Sequence, residues 1–185
     1  MNHGWTAISL LALLLLAPSS AKATTLDAVK ASYKSVTTIN AKISLTKTSK
    51  YLKRPVVSEV ELRVSPGLII WESMAPVRSK IQIDHDGLTM DGTKMDGAVQ
   101  EKAKPLISTL KSLLTFDWRA IEEALDVKVD GLFLRGTPKP NGALAMFSAV
   151  VFEFQGNLDP KFITLTADRE ITSLRFQSFD KKVVP

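Results

Sequence analysis

The chain has 185 residues, 45% of them apolar and 23% charged, with no cysteine and a formal net charge of +5. These values exclude disulfides, cysteine-ligated metals and thiol catalysis, and a chain this apolar is not a disordered one. Scattered lysines with no basic helix carrying aromatics leave no nucleic-acid footprint, and the mild positive balance suits either solubility or contact with anionic headgroups.

Residues 6–17 form a continuous run of apolar and small side chains that includes Leu10, Leu11 and Leu13 to Leu16, and Pro18 ends it. Ala21-Lys22-Ala23 then offers small residues at the two positions a signal peptidase reads. A spanning helix needs about 20 apolar residues, so this run reads as a cleavable secretion signal, residues 1–23. Residues 1–5 depart from the usual pattern in having no Lys or Arg. Residues 24–185 are expected to form one domain, exported to the periplasm, soluble and, with no cysteine to acylate, not itself lipidated.

Leu26, Val29, Tyr33 and Val36 recur at spacings of three, four and three, one face of a short helix. Residues 39–45 alternate, with Ile39, Ala41, Ile43 and Leu45 on one side, which predicts a half-buried strand. Val60, Leu62 and Val64 predict a second strand, and Ser65-Pro66-Gly67 a turn. Residues 68–71 predict a third strand, Ile81 and Ile83 mark a fourth, and residues 88–90 a short fifth between Asp86-Gly87 and Asp91-Gly92.

The period changes over residues 100–114. Leu106, Ile107, Leu110, Leu113 and Leu114 share one helical stripe, while Lys104, Ser108 and Lys111 face away. Pro105 suits the first turn of that helix. Asp117 can cap a further helix carrying Trp118, Ile121 and Leu125. Strands resume at Val127, Asp130-Gly131 signals a hairpin, and residues 136–142 read as a loop. Residues 150–154, 162–166 and 172–179 predict three more strands.

The expected architecture is mainly β (α+β): about eight antiparallel strands and three helices, two of the helices inserted between the halves of the sheet. An alternating sheet has one apolar face that must be covered, and the Leu-rich helix is the candidate cover. Periodicity leaves open whether the interior is a filled core or a cavity for a ligand.

Catalytic and metal readings are weak. His85 is the one histidine after residue 23, flanked by Asp84 and Asp86 beside a turn, so a Ser-His-Asp triad would have to use it. A calcium loop counted from Asp84 needs Glu at its twelfth position, where Met95 stands. No enzyme activity, metal or cofactor is expected.

The order of the elements resembles the LolA family of periplasmic lipoprotein carriers. The main match is Glu61-Leu-Arg-Val-Ser-Pro-Gly-Leu-Ile-Ile-Trp-Glu-Ser-Met-Ala-Pro76, similar to that family's strand, Pro-Gly turn, apolar-x-Trp strand and following Pro. Residues 39–45, 81–87, 133–138 and 171–176 resemble further strands, and Asp117-Trp118 follows the Leu-rich helix at the expected place. The likeness spans nearly all of the chain after residue 23. Ser65 departs from it, standing where the carriers have an Arg that helps latch the lid, and little sequence follows Phe179.

The resemblance implies a curved antiparallel sheet forming an unclosed β-barrel with a helical lid, LolA/LolB-like, over an apolar cup. It implies a carrier of the acyl chains of lipoproteins or other lipids toward the outer membrane. Its partners would be an inner-membrane release complex and an outer-membrane acceptor, and the chain would be a monomer. The ligand-binding residues expected are Val60, Leu62, Val64, Ile69, Trp71, Ile81, Ile83 and Met90 on the strands, and Leu106, Ile107, Leu110, Leu113 and Leu114 on the helix. Two other readings are a periplasmic sensor or adaptor of the same fold that binds a protein, and a carrier of a glycolipid or hydrophobic small molecule.

Overall fold

The computed structural model describes residues 25–183, without the side chains of residues 99, 100, 102–107 and 110. The expected signal segment lies outside the described residues.

Helix α1 (Leu26–Tyr33) starts where the Thr25 hydroxyl accepts a hydrogen bond from the Ala28 amide at 3.2 Å. Six strands follow: β1 (Val36–Ser49), β2 (Val56–Ser65), β3 (Leu68–Ala75), β4 (Ser79–Asp84), β5 (Gly87–Met90) and β6 (Thr93–Lys94). Each pairs antiparallel with the one before it. The turns obey local chemistry. Pro66 precedes Gly67 at φ +74° between β2 and β3, and Asp91 and Gly92, at φ +49° and +81°, join β5 to β6 as the paired left-handed residues of a tight hairpin.

Helix α2 (Gly97–Thr115) and helix α3 (Trp118–Ala124) then lead to β7 (Leu125–Asp130), β8 (Phe133–Pro138), β9 (Phe147–Phe154), β10 (Pro160–Ala167) and β11 (Glu170–Val183). The order across the single sheet is β6-β5-β4-β3-β2-β1-β11-β10-β9-β8-β7. Two meanders thus meet at the centre through β1 and β11, and β6 and β7 are left as unpaired edges. The sheet is antiparallel and does not close, and α2 and α3 carry the chain from one edge to the other.

The structure changes three expectations. There are eleven strands among the described residues, not about eight. Helix α2 begins at Gly97, capped by Asp96, whose carboxylate accepts from the Ala98 amide at 2.7 Å. Pro105 therefore falls inside the helix, where proline removes one backbone hydrogen bond, and not in its first turn. Gly136 and Pro138 belong to β8, because a glycine is needed where the strand crosses Leu125; the loop covers residues 139–146.

The filled core gathers around an aromatic cluster. Phe116, the C-cap of α2, sits among Tyr33, Trp118, Phe152, Phe154 and Phe179, with ring centroids 4.3 to 6.3 Å away. Phe176 meets Phe179 at 5.7 Å. These rings come from α1, the α2–α3 junction, β9 and β11. They close one part of the interior, under α1 and α3.

Candidate functional site: an apolar cavity beneath helix α2

Away from the aromatic cluster the interior is hollow. A cavity of about 320 Å³ is bordered by Leu45, Ile69, Trp71, Ile81, Ile83 and Leu88 from β1 and β3 to β5. Ile163, Leu165, Thr172 and Leu174 from β10 and β11 border it on the other side, and Lys111, Leu113 and Leu114 from the last turns of α2 cover it. In sheet order, Leu88 on β5 and Leu165 on β10 lie six strand gaps apart, roughly 29 Å if the sheet were flat. Both border one small cavity, so the sheet curls into a cup. Its volume lies at the low end of the range of about 300–1,000 Å³ found for small-molecule sites.

Local sequence explains the lining. Ile69 and Trp71 alternate with outward residues on β3, and the register sets Ile69 against Ile83 and Trp71 against Ile81. Across the β1–β11 seam Leu45 faces Leu174, and Leu174 faces Ile163 on β10. The next inward positions toward the end of the sheet are Lys47 and Glu170, joined by an ion pair of 2.8 Å. Among the described lining residues, Lys111 is the one ionisable group and Thr172 the one hydroxyl.

Of the expected binding residues, Ile69, Trp71, Ile81, Ile83, Leu113 and Leu114 line this cavity. Val60 and Leu62 do not: they are 3% and 0% exposed, packed into the solid core on the strand between β1 and β3. Val64 packs against that core. Met90 ends β5 beside the edge strand and is 41% exposed, so it also lies off the cavity. The side chains of Leu106, Ile107 and Leu110 lie outside the described residues. Lys111, expected to face away, borders the cavity while remaining exposed, a position suited to a long apolar stem with a wet ammonium.

Leu45, Leu88, Ile163, Leu165, Thr172 and Leu174 were missed as lining. Their strands are legible in residues 39–45, 88–90, 162–166 and 172–179. Which strands of the second meander face the cup follows from the β1–β11 pairing, which no local pattern announces.

The Asp84-His85-Asp86 group sits on the β4–β5 turn, where ligand atoms of the three residues lie within 4.8 Å of one another. The Asp84 carboxylate accepts from Gln82 Nε2 at 2.9 Å and from the Asp86 amide at 2.8 Å. Those two hydrogen bonds, that from Gln82 first, hold its pKa below the usual carboxylate value. His85 and Asp86 are largely exposed. The group builds the turn and lies apart from the cavity lining.

The fold and the cavity define a class: an open, curled antiparallel sheet with a helical cover over an apolar hollow. No protein-family model and no curated protein matches the chain. Among solved structures it is similar to a LolA superfamily protein from Nitrosomonas europaea, at 10% identity over 88% of this chain and 96% of that one, with a TM-score of 0.43. It is also similar to a domain described as an outer membrane lipoprotein-sorting protein from Vibrio parahaemolyticus, at 6% identity over 84% of this chain and 90% of that one, with a TM-score of 0.36.

Proposed function

We propose that this chain is an exported, periplasmic carrier that binds the acyl chain of a lipoprotein or another lipid beneath α2 and moves it toward the outer membrane without altering it. The carrying observation is the hollow itself, about 320 Å³ and bordered by Leu, Ile and Trp side chains beneath a helix. An empty apolar cavity forfeits dispersion contacts that a hydrocarbon chain restores. The lining favours binding over chemistry, since its described residues offer no paired acid and base and no nucleophile beside a base.

The magnitude suits a shuttle. Each buried CH₂ contributes about 0.8 kcal/mol, so ten of them give about 8 kcal/mol, near micromolar affinity before the costs of association. Cargo held that loosely can pass to a better apolar site. Lys111 at the edge of the cavity offers a cation to an anionic head group left in water.

Trp71 makes the test direct. Fatty acids brominated along the chain should quench Trp71 emission, because bromine quenches only at contact, while Trp118 sits in the aromatic cluster away from the lining. Saturable quenching that survives Trp118→Phe and vanishes in Trp71→Phe supports the reading. Native mass spectrometry of the purified protein would identify co-purifying lipid. Absence of quenching at all concentrations below the lipid's micelle point would refute acyl binding.

A further inference from the structure

The two ends of the sheet are chemically different. Antiparallel pairing puts the connections at 50–55, 76–78, 91–92, 139–146 and 168–169 at one end, and those at 66–67, 85–86, 131–132 and 155–159 at the other. The second end has Asp84, Asp86 and Asp130 at its turns and no lysine or arginine in them, while Asp159 is paired at 2.9 Å with Lys181 from β11. The first presents Lys50, Lys53, Arg54, Arg78 and Arg169.

Acids at the first end are already engaged. Asp168 pairs with Arg169 at 3.1 Å, Glu170 with Lys47 at 2.8 Å, and Asp91 accepts the Lys80 amide at 2.6 Å. Lys50, Lys53, Arg54 and Arg78 make no ion pair among the described residues and are exposed. Large apolar side chains stand among them: Tyr51 is 69% exposed, Val77 72%, and Leu52, Val56 and Ile171 are exposed too. The Tyr51 ring lies 5.4 Å from Lys50 Nζ and 5.7 Å from Arg169 Cζ, and its hydroxyl accepts from Arg169. An amphipathic ring flanked by cations and exposed aliphatics matches the chemistry of a headgroup layer, which takes apolar tips below and phosphates beside them.

We propose that this end of the sheet docks on an anionic lipid bilayer, with Tyr51 and Leu52 at the tip of the β1–β2 turn entering the headgroup layer and Lys50, Lys53, Arg54 and Arg78 meeting lipid phosphates. The four cations without an ion pair outnumber Asp91, the one acid of these turns that has an amide and no cation as its partner among the described residues, and so select an anionic surface over a neutral one. From Leu45 at the cavity to the tip is six or seven residues of β1 and its turn, at most roughly 20–23 Å of extended chain. The docking surface and the cavity therefore adjoin through the Lys47–Glu170 pair. The inference holds whether or not the cavity takes an acyl chain.

The absence of cysteine makes the test specific. Leu52→Cys, and Leu132→Cys at the opposite end, each carry one environment-sensitive dye on the full chain as the cell processes it. The probes are vesicles of phosphatidylcholine alone and of phosphatidylcholine with phosphatidylglycerol. The dye at residue 52 should shift to the blue with the anionic vesicles only, and the dye at 132 should not shift. The shift should shrink as salt rises from about 0.1 M to about 1 M, where the Debye length falls from about 10 to 3 Å. Each basic side chain near such a surface is worth about fivefold in partitioning, so Lys53→Ala with Arg54→Ala should weaken it about 25-fold. Melting curves confirm that these surface variants fold, and the Trp71 quenching assay on the same proteins reports acyl binding separately. No shift at residue 52, equal shifts at both ends, or partitioning indifferent to the double substitution would overturn the proposal, the last two pointing to attachment elsewhere and the first to an acidic protein as the partner.

Discussion

Phe116 stacks on Tyr33 with ring centroids 4.3 Å apart and planes 24° from parallel, although Phe116 has the left-handed backbone, φ +55° and ψ +40°, that favours glycine. Burial of the ring at 2% exposure offsets that strain. The contact ties the end of α2 to α1 and so fixes where Leu113 and Leu114 cover the cavity. It follows that Phe116→Ala loses the ring and keeps the strain, and should cost about 3–5 kcal/mol. Phe116→Gly should recover about 1–2 kcal/mol relative to Ala by relieving the backbone. Urea midpoints of the three proteins, in the order Phe, Gly, Ala, check this; Gly no more stable than Ala would contradict it.

Tyr33 should resist ionisation. Burial, and then the negative charge of Asp159, raise its pKa far above the ordinary tyrosine value, and its hydroxyl donates to the Leu158 carbonyl at 2.9 Å. Because the folded value lies above the unfolded one, the contribution to stability is complete below about pH 10 and is lost as pH rises beyond it, where only the unfolded chain gives up the proton. The chain has two tyrosines. Native protein near pH 11 should thus show less tyrosinate absorbance than the denatured chain, and Tyr33→Phe should flatten the alkaline fall in stability. Equal tyrosinate signals before and after unfolding would be the contrary result.

Leu113 and Leu114 are adjacent on α2 and both line the cavity, yet they should answer differently to substitution. Leu113 is 2% exposed, and Leu113→Ala should cost about 2–5 kcal/mol in a denaturant titration. Leu114 is only partly buried, so the carboxylate of Leu114→Glu can stay in water and leave the fold intact while putting a charge on the border of the cavity. Quenching of Trp71 by brominated fatty acid should fall at least tenfold in this variant with a melting temperature close to that of the parent. Unchanged quenching would remove α2 from the proposed site.

Gly136 on β8 leaves no room for a side chain. A Cβ placed there would lie 2.7 Å from Leu125 Cδ1 and 3.2 Å from Leu125 Cβ, and Leu125 is itself 1% exposed. The Cδ1 atom can swing aside, but the Cβ cannot without moving β7. Gly136→Ala should therefore destabilise by about 1–3 kcal/mol, measured by urea unfolding. An unchanged urea midpoint would mean that β8 has room for a side chain at this position.

Much was legible in the sequence because it is local. Alternation over residues 39–45 and 60–64, the Pro66-Gly67 and Asp91-Gly92 turns, and the Asp117 cap are each written within a few residues, since pleat, turn and helix start are short-range physics. The leucine stripe on α2 and the inward side of β3 and β4 came the same way, which is why Ile69, Trp71, Ile81, Ile83, Leu113 and Leu114 could be named. The helix start at Asp96, nine residues before a tolerated interior proline, and Gly136 within β8 were not legible, since in each case packing overrides local preference.

Only tertiary structure decided where the interior is solid and where it is hollow. Val60, Leu62, Trp71 and Leu174 have the same alternating pattern, but the first two vanish into core and the last two border a cavity. The difference arises from the pairing of the first strand with the last, 13 matched positions between β1 and β11, and from the curl of the sheet that follows. Residues more than 120 apart become neighbours there, as Leu45 and Leu174 do. Side-chain period reports which face a residue is on; the volume enclosed by that face depends on how far the sheet bends and on how many rings fill one end, and these are properties of the whole chain.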